Sequence, residues 1–213
     1  MGRAFGVFKL DGLPIDVSLP IRRPLEEATV PGLLHLADHE MDIDDALSRR
    51  DFTINAMAWD PDTLEFRDPF QGRDDLDTRT LRHVSERFAE DPLRVLRGMQ
   101  LAARYELTAA PETAAFCRSL TQDALPHERL WEEWKKLLLQ GVTPSKGLHW
   151  LNDCDWLRFY PELAALRGCP QDPVWHPEGD VWTHTLHCLD WFARERTGQA
   201  EDDVIVEIGR AHV

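Results

Sequence analysis

Residues 49–56 read Arg-Arg-Asp-Phe-Thr-Ile-Asn-Ala, and the interpretation of the whole chain depends on this stretch. Two adjacent arginines, Arg49 and Arg50, present forked donors that suit the oxygens of a polyphosphate. Asp51 and Asn55 offer groups that can hydrogen-bond the hydroxyls of a sugar. A charged helix end followed by a strand explains the same residues without a ligand. The stretch therefore indicates a polyphosphate- and sugar-binding turn, with a plain helix–strand junction as the alternative.

Short strands and turns surround this stretch. Asp11-Gly12 is a typical hairpin turn, and a Pro61-Asp62 turn follows the stretch. A surface loop is expected over residues 24–42, which are rich in Pro, His and Asp. The pattern predicts a hairpin over 5–10 and 14–19, a short helix over 42–47, and a second hairpin over 52–59 and 64–67.

Helical periodicity begins at Gln71 and continues towards the C-terminus. Prolines at 111, 126 and 144 suit helix starts, where a missing N–H costs nothing. A Cys-Pro-Gln-Asp-Pro stretch interrupts the pattern near residues 168–173, and a last helix is expected from about Asp180 to Glu195. The apolar positions that predict a buried helix face are Phe88, Leu93, Leu96, Met99, Ala103 and Leu107.

A second motif, Glu90-Asp91-Pro92-Leu93-Arg94, precedes the strongest of these helical patterns. An ordinary helix start explains it, with Asp91 as cap, proline in the first turn and an ion pair between Glu90 and Arg94. The alternative is recognition of a base. Cytosine and adenine both present an exocyclic amino donor beside a ring-nitrogen acceptor, and a carboxylate beside a guanidinium complements that edge. Uracil and guanine would leave buried polar groups unpaired, so such a pair can select C and A.

Asp16 is the third candidate, in Pro14-Ile15-Asp16-Val17-Ser18. A single strand carboxylate is often only solvent-facing. Clustered carboxylates, however, can hold the metal ions that activate a 3′-hydroxyl and stabilise charge on a phosphate. Asp42-Ile43-Asp44 has the spacing of a metal-binding pair, but it lies in a loop or short helix, so we do not assign it that role.

Taken in order, these motifs resemble those of class II tRNA nucleotidyltransferases, the CCA-adding enzymes, and of bacterial poly(A) polymerases. Residues 68–76 resemble the hinge between head and neck in that family, and residues 128–136 resemble its neck-helix motif. The resemblance implies a partial α/β nucleotidyltransferase head with a mixed or antiparallel sheet, followed by an all-α neck and body.

The resemblance also implies roles for individual residues. It implies Asp16 as catalytic residue and metal ligand, Asp91 with Arg94 as readers of the base, and Mg²⁺ as cofactor with CTP and ATP as substrates. Glu90, Glu128 and Arg129 would support the pocket. The residues implied to bind the nucleotide are Arg49, Arg50, Asp51, Asn55, Asp91, Arg94 and Arg97.

Residues 175–185, Trp-His-Pro-Glu-Gly-Asp-Val-Trp-Thr-His-Thr, resemble the opening of an HD phosphohydrolase domain. In that family, His184 would be the first metal ligand, joined by a later His-Asp pair that this sequence does not contain. A lone helical histidine is otherwise usually structural. We therefore expect an incomplete metal site at His184 and a partial helical HD domain.

The domain organisation that follows has four parts. Residues 1–70 would form the partial head, residues 71–168 the helical neck and body, and residues 169–206 the start of the HD domain. Residues 207–213 break the pattern and are expected to be a non-native tail. Because the Asp-x-Asp strand of the family does not occur before Asp16, the sequence predicts an incomplete and inactive chain.

Composition narrows the partners and the compartment. The formal net charge of −14 argues against a nucleic-acid partner, but the chain holds 20 Arg against 4 Lys, and several arginines cluster into local basic stripes. Apolar runs such as residues 137–139 are too short to cross a bilayer. Four cysteines without a CxxC pair favour a reducing cytoplasm. The tRNA 3′ end is the expected partner, with no membrane and no obligate protein partner.

Several functions stay open at this point. The leading prediction is template-independent addition of C and A to the 3′ end of tRNA. A bacterial poly(A) polymerase and a split CC-adding or A-adding enzyme share the motifs. A nucleotide- or RNA-binding fragment and an HD phosphohydrolase module are the alternatives from other classes.

Overall fold

A computed structural model describes residues 7–9, 12, 16–18, 20, 38–123, 125–199 and 202. Strands β1 (Val7–Lys9) and β2 (Asp16–Ser18) pair antiparallel, with Lys9 opposite Asp16, which confirms the first hairpin. Most of the predicted 24–42 loop and the predicted tail at 207–213 lie outside the described residues. Helix α1 (Ile43–Ser48) confirms the predicted short helix, and the Asp42 carboxylate caps it by accepting from the Asp44 N–H at 2.8 Å.

The stretch at 49–56 forms a turn, so the predicted strand from Phe52 to Trp59 is only partly confirmed. Residues Thr53–Asn55 form a 3-10 helix, and only Ala58–Trp59 (β3) pairs antiparallel with Phe66–Arg67 (β4). Local side-chain bonds explain the difference. The Asp51 carboxylate accepts from the Phe52 N–H at 2.8 Å, and such bonds compete with a strand ladder.

The hinge predicted at 68–76 contains helix α2 (Gly72–Asp77), which packs against the 3-10 helix. Asp68 caps it by accepting from the Gly72 N–H at 2.7 Å and the Arg73 N–H at 2.9 Å. A Cβ on Gly72 would lie 2.2 Å from the Thr53 carbonyl oxygen. Glycine therefore lets the hinge lie directly against the turn.

A short parallel pair joins β5 (Thr80–Leu81) to β6 (Thr108–Ala109), with Thr80 opposite Thr108. We expected only helices after Gln71, so the prediction is wrong at these two positions. A strand of two residues leaves no alternation for a sequence pattern to reveal.

The remaining helices form one packed body around α3. The predicted apolar positions are all buried, but only Leu93, Leu96, Met99 and Ala103 lie in α3. Phe88 lies in a separate 3-10 helix, Glu86–Glu90, and Leu107 follows the end of α3. Helix α3 packs mainly against α5 and α6. The bounds are Leu93–Tyr105 (α3), Pro111–Cys117 (α4), His127–Gln140 (α5), Pro144–Asp153 (α6), Pro161–Ala164 (α7) and Val181–Glu195 (α8).

Aromatic contacts fix the 49–56 turn on this body. Phe52 is fully buried, and its ring lies 5.3 Å from that of Phe88 and 5.8 Å from that of Trp150, both edge to face. The Trp150 Nε1–H donates to the Val95 carbonyl at 2.8 Å. A Cβ on Gly98 would lie 2.3 Å from Trp150, so glycine allows α3 and α6 to approach closely at this point.

Prolines mark the helix starts as predicted, with one shift. Helices α4 and α6 begin at Pro111 and Pro144, whereas Pro126 is the cap residue before α5 and not its first helical residue. The described part of the chain contains no helix with the length and apolar character that crossing a membrane requires.

The predicted last helix is confirmed as α8, with Asp180 as its cap. Trp182 and Leu186 are buried in the same hydrophobic core as α3 and α6. The Asp190 carboxylate accepts from the Ser145 N–H at 2.8 Å and from the Ser145 hydroxyl at 2.7 Å, which fastens α8 to the start of α6. The predicted division between a body and a later domain at residue 168 stays a prediction.

Candidate functional site

Four of the predicted nucleotide-binding residues meet where the end of α1 faces the start of α3. Arg49 is the C-terminal cap of α1, Asp51 lies in the turn that follows, and Arg94 and Arg97 extend from the first turns of α3. Arg49 and Asp51 lie more than 40 positions before Arg94 and Arg97 in the sequence. The hydrophobic anchoring of Phe52 brings the two segments together.

Asp51 is 5% exposed and satisfied by neighbouring groups. Its Oδ2 accepts from Arg97 Nε at 2.8 Å and lies 2.7 Å from Arg97 Nη2, while its Oδ1 accepts from Asn55 Nδ2 at 3.0 Å. Burial alone would raise the pKa of Asp51, but the Arg97 charge and the hydrogen bonds outweigh it and hold the pKa below its usual value. Burial opposes the charge of Arg97 as well, yet Asp51 outweighs it and raises the pKa of Arg97. Both partners are therefore fixed as ions.

The Arg94 guanidinium joins two segments of backbone. Its Nη1 donates to the Arg87 carbonyl at 2.7 Å, and its Nη2 donates to the Arg49 carbonyl at 2.7 Å. Burial lowers the pKa of Arg94, while the charges of Asp51 and Asp91 oppose that shift. These two bonds use two of the five guanidinium N–H groups, and no further hydrogen bond of Arg94 is found within the described part of the chain.

Asp91 lies beside Arg94 without bonding to it. Its Oδ1 accepts from the Leu93 N–H at 3.1 Å, and its Oδ2 lies 2.7 Å from Arg129 Nη2 on the first turn of α5. The ion pair expected between Glu90 and Arg94 does not occur among the described salt bridges, because the Arg94 nitrogens point at the two carbonyls. Carboxylate and guanidinium are thus each positioned by a separate partner.

The remaining predicted residues make few described contacts. Arg50, Glu90 and Glu128 are exposed, and Glu128 lies in the first turn of α5. Asp16 lies in β2, and its catalytic role stays a prediction.

Two residues near the site, Arg87 and Glu133, have no individual role predicted from the sequence, although Glu133 lies within the neck-helix motif at 128–136. Arg87 supplies a carbonyl to Arg94, and its own Nη1 is buried without a hydrogen-bond partner. Glu133 on α5 is 3% exposed; its Oε1 lies 2.7 Å from Lys136 Nζ, and its Oε2 has no hydrogen-bond partner. The Glu133 charge also contributes to the raised pKa of Arg97. A buried glutamate on an amphipathic helix is a signal that spacing alone does not distinguish from a solvated one.

His184 lies close to two ligand-type side chains, Glu178 and His176, that were not predicted from the sequence. Its Nδ1 lies 2.6 Å from Glu178 Oε1, and His176 Nδ1 lies 3.1 Å from the same oxygen. Within the described residues, His176, Glu178 and His184 are the one group of three ligand-type side chains close enough to share a metal ion. The His-x-Glu spacing just before α8 could have signalled this cluster.

Comparisons with known proteins show which proteins this chain is similar to. Residues 22–82 match the family model described as the poly A polymerase head domain. A protein of Xanthomonas oryzae pv. oryzae named multifunctional CCA protein is 45% identical, over 77% of this chain and 42% of the relative. A protein of Alkalilimnicola ehrlichii with the same name is 44% identical, over 76% of this chain and 41% of the relative. The chain thus spans less than half the length of these curated relatives.

The structure gives a similar result. A solved structure of a tRNA-processing enzyme in an apo form matches with a TM-score of 0.52 and 25% sequence identity. The match covers 74% of this chain and 45% of that one.

Proposed function

We propose that this chain, which belongs to the family of the multifunctional CCA proteins, carries the nucleotide-recognition part of a template-independent nucleotidyltransferase that adds C and A to the 3′ end of tRNA. The identity of 45% and 44% to two proteins of that name supports this assignment. The reaction is attack of the RNA 3′-hydroxyl on the α-phosphate of CTP or ATP, with pyrophosphate leaving.

The observation that carries the proposal is the arrangement of Asp91 and Arg94. Arg94 keeps three N–H groups for a ligand, and each Asp91 oxygen has one described hydrogen-bond donor and a further lone pair. An exocyclic amino group would donate to Asp91 while a ring nitrogen accepts from Arg94. Because Arg87, Arg49 and Arg129 hold the pair in position, little reorganisation is needed when a base binds.

The triphosphate and ribose would lie on the α1 side of this pair. We assign Arg49 and Arg50 to phosphate oxygens and Asn55 to a sugar hydroxyl. Asp51 is already bound to Arg97, so we assign it a positioning role: it holds the Arg97 guanidinium at the edge of the site.

Mg²⁺ is implied by the family, but the described side chains around this site do not form a carboxylate cluster for it. Asp51 is bound to Arg97 and Asp91 to Arg129, and the one described cluster of ligand-type residues lies at His176, Glu178 and His184. No step of the proposed nucleotidyl transfer is therefore assigned to a metal ion. The role of Asp16 as a metal ligand belongs to the proposal.

Nucleotide binding to this chain tests the recognition site directly. Calorimetric titration should give tighter binding of CTP and ATP than of UTP and GTP, since a bidentate pair discriminates by about 1–3 kcal/mol. Arg94→Gln should remove that discrimination. Arg194→Gln, at an exposed position on α8, is the matched control and should leave it unchanged. Equal affinity for all four nucleotides would contradict the proposal.

A bacterial poly(A) polymerase is the second candidate, because the family model that matches residues 22–82 carries that name. Incubation with CTP, ATP and tRNA transcripts that lack one, two or three terminal nucleotides separates the two. Restoration of the missing nucleotides supports CCA addition, and addition of C alone or A alone would indicate a split enzyme. Uptake of ATP alone onto arbitrary RNA would support the poly(A) polymerase instead.

A further inference from the structure

A cleft of about 500 Å³ lies between the end of α2 and the end of α3. Tyr105 lines it with a side chain that is 47% exposed, and the Arg104 guanidinium carbon lies 5.3 Å from the centre of the Tyr105 ring. Arg94 lies in the first turn of α3 and Tyr105 is its last residue. A rise of about 1.5 Å per residue places the two roughly 16 Å apart along the helix. The cleft is therefore separate from the Arg94 site.

We propose that this cleft binds a nucleotide unit, meaning an aromatic base with its phosphate, at a second site. Its volume lies within the range of about 300–1,000 Å³ that is usual for small-molecule sites. The base would stack on the exposed Tyr105 ring, as bases do on the aromatic platforms of proteins that bind single strands. The forked donors of Arg104 would bind the phosphate oxygens. Neither residue takes part in the proposed nucleotidyl transfer.

The charges that line the cleft favour a nucleotide over a bare anion. Arg104 Nη1 donates to the Gln100 side-chain oxygen at 3.2 Å, and no described salt bridge joins Arg104 to a carboxylate. Its charge is therefore available to a phosphate. Asp77 and Glu106 line the same cleft and would repel an anion that offered nothing else. A base with an exocyclic amino group can donate to a carboxylate, so a nucleotide complements both signs of charge.

Hydrogen bonds hold the walls of the cleft in place before a ligand arrives. Arg79 Nη1 donates to the Tyr105 carbonyl at 3.0 Å and lies 3.7 Å from Glu106 Oε2. The Thr143 hydroxyl donates to Glu106 Oε1 at 3.2 Å. Arg79 and Glu106 both have left-handed backbone, with φ of 54° and 55°, which few residues other than glycine adopt. The backbone beside Tyr105 is thus fixed, and a base would meet a surface that needs little reorganisation.

A smaller cleft of about 170 Å³ adjoins the first, since Leu107 lines both. Lys146 and His149 on α6 line this second cleft, and Lys146 has no carboxylate partner among the described residues. A cation in this position suits the phosphate of a neighbouring nucleotide. The nucleotide unit has two possible sources, which use the clefts differently. A free mononucleotide would occupy the larger cleft alone, whereas an unpaired stretch of RNA would occupy both.

Calorimetric titration of the Arg94→Gln chain with AMP tests the second site while the first is disabled. AMP should bind, and Tyr105→Ala should weaken it by about 5–150-fold, the range that stacking of one base gives. Tyr105→Phe keeps the ring and should keep the affinity. Arg104→Gln should weaken AMP by at least roughly tenfold, through the lost charged hydrogen bond. Trp191→Ala and Arg194→Gln, both exposed on α8, are the matched controls and should leave the affinity unchanged.

Ribose 5-phosphate and tetraadenylate identify the ligand more closely. Ribose 5-phosphate should bind far more weakly than AMP, and equal binding would mean a simple anion site and overturn the proposal. If RNA is the source, tetraadenylate should bind more tightly than AMP, and Lys146→Gln should remove that gain. Equal affinity of the two, unaffected by Lys146→Gln, would support a free mononucleotide at the same site.

Photochemical crosslinking of the unaltered chain with 8-azidoadenosine 5′-monophosphate locates the site without depending on how any variant folds. Peptides from residues 101–109 should be labelled, and an excess of AMP should prevent that labelling. Labelling confined to residues 49–55 and 87–94, or AMP binding that Tyr105→Ala leaves unchanged, would overturn the proposal. Discrimination among the four triphosphates at Arg94 is a separate measurement, so the two proposals can fail independently.

Discussion

The buried Asp51 carboxylate forms an ion pair with Arg97 at the edge of the candidate site. Asp51→Asn keeps the shape of the side chain but removes its charge, leaving Arg97 with a weaker partner. We expect the free energy of unfolding to fall by about 1–3 kcal/mol, since Arg97 is 40% exposed and water can partly replace the lost contact. Asp77→Asn, at an exposed position on α2, is the control, and chemical denaturation measures both. Equal effects of the two changes would contradict a special role for Asp51.

The lowered pKa of Asp51 adds a pH dependence with a definite sign. The carboxyl titrates near its ordinary value of 3.8 in the unfolded chain and at a lower pH in the folded one. Its stabilisation is complete above pH 3.8 and is lost as the pH falls through the folded pKa. We expect the difference in unfolding free energy between the unaltered chain and Asp51→Asn to shrink below pH 3.8. A difference that stays constant down to about pH 2 would count against this account.

We expect Arg129 to affect nucleotide affinity more than the free energy of unfolding. Its ion pair with Asp91 is half exposed, so Arg129→Gln should change the unfolding free energy by only about 0–1 kcal/mol. Asp91 would lose the partner that orients it, and affinity for CTP and ATP should fall. Denaturation and nucleotide titration of one sample measure both quantities. A loss of stability larger than the loss of binding energy would show that Arg129 is mainly structural.

Among the helices, the contact of α3 with α6 depends on Gly98. Gly98→Ala places a methyl group 2.3 Å from the buried Trp150 ring, and overpacking of this kind costs about 1–3 kcal/mol. Alanine gains up to about 1 kcal/mol of helix propensity, so the net change should be destabilising. Ala115→Gly, at an exposed position of α4, calibrates the propensity contribution, and thermal unfolding measures both. A more stable Gly98→Ala chain would show that the ring can move aside.

At this scale, the sequence predicts what depends on repetition or local chemistry. The apolar face of α3, the last helix α8 and the first hairpin follow from periodicity and turn residues. The 3-10 helix at 53–55 and the β5–β6 pair do not, because side-chain bonds and two-residue strands leave no periodic signal. Likewise, the motifs named residues that the structure brings together, but no spacing rule reveals that Arg94 donates to two distant carbonyls.

Across the whole molecule, α8 connects the later part of the chain to the body. Asp190→Ala removes the carboxylate that caps α6 at Ser145, and a lost cap costs about 0.5–2 kcal/mol. We expect one cooperative unfolding transition at lower temperature, with faster amide hydrogen exchange along α8. Asp172→Ala, an exposed position before the helix, tests whether any lost carboxylate has this effect. Two separate transitions in the unaltered chain would instead support an independent domain after residue 168.

The bridge that Arg94 makes between the Arg49 and Arg87 carbonyls has a thermodynamic consequence. A ligand that moves the Arg49 carbonyl would alter the hydrogen bonds of Arg94, because Arg94 Nη2 donates to that carbonyl and is held by it in the position proposed to suit a base. We therefore expect the two binding energies to be coupled, and coupling between sites is reciprocal. Whatever factor the correct base adds to the affinity for the triphosphate, the triphosphate adds to the affinity for that base. Nucleosides without phosphates would then be distinguished less sharply than their triphosphates.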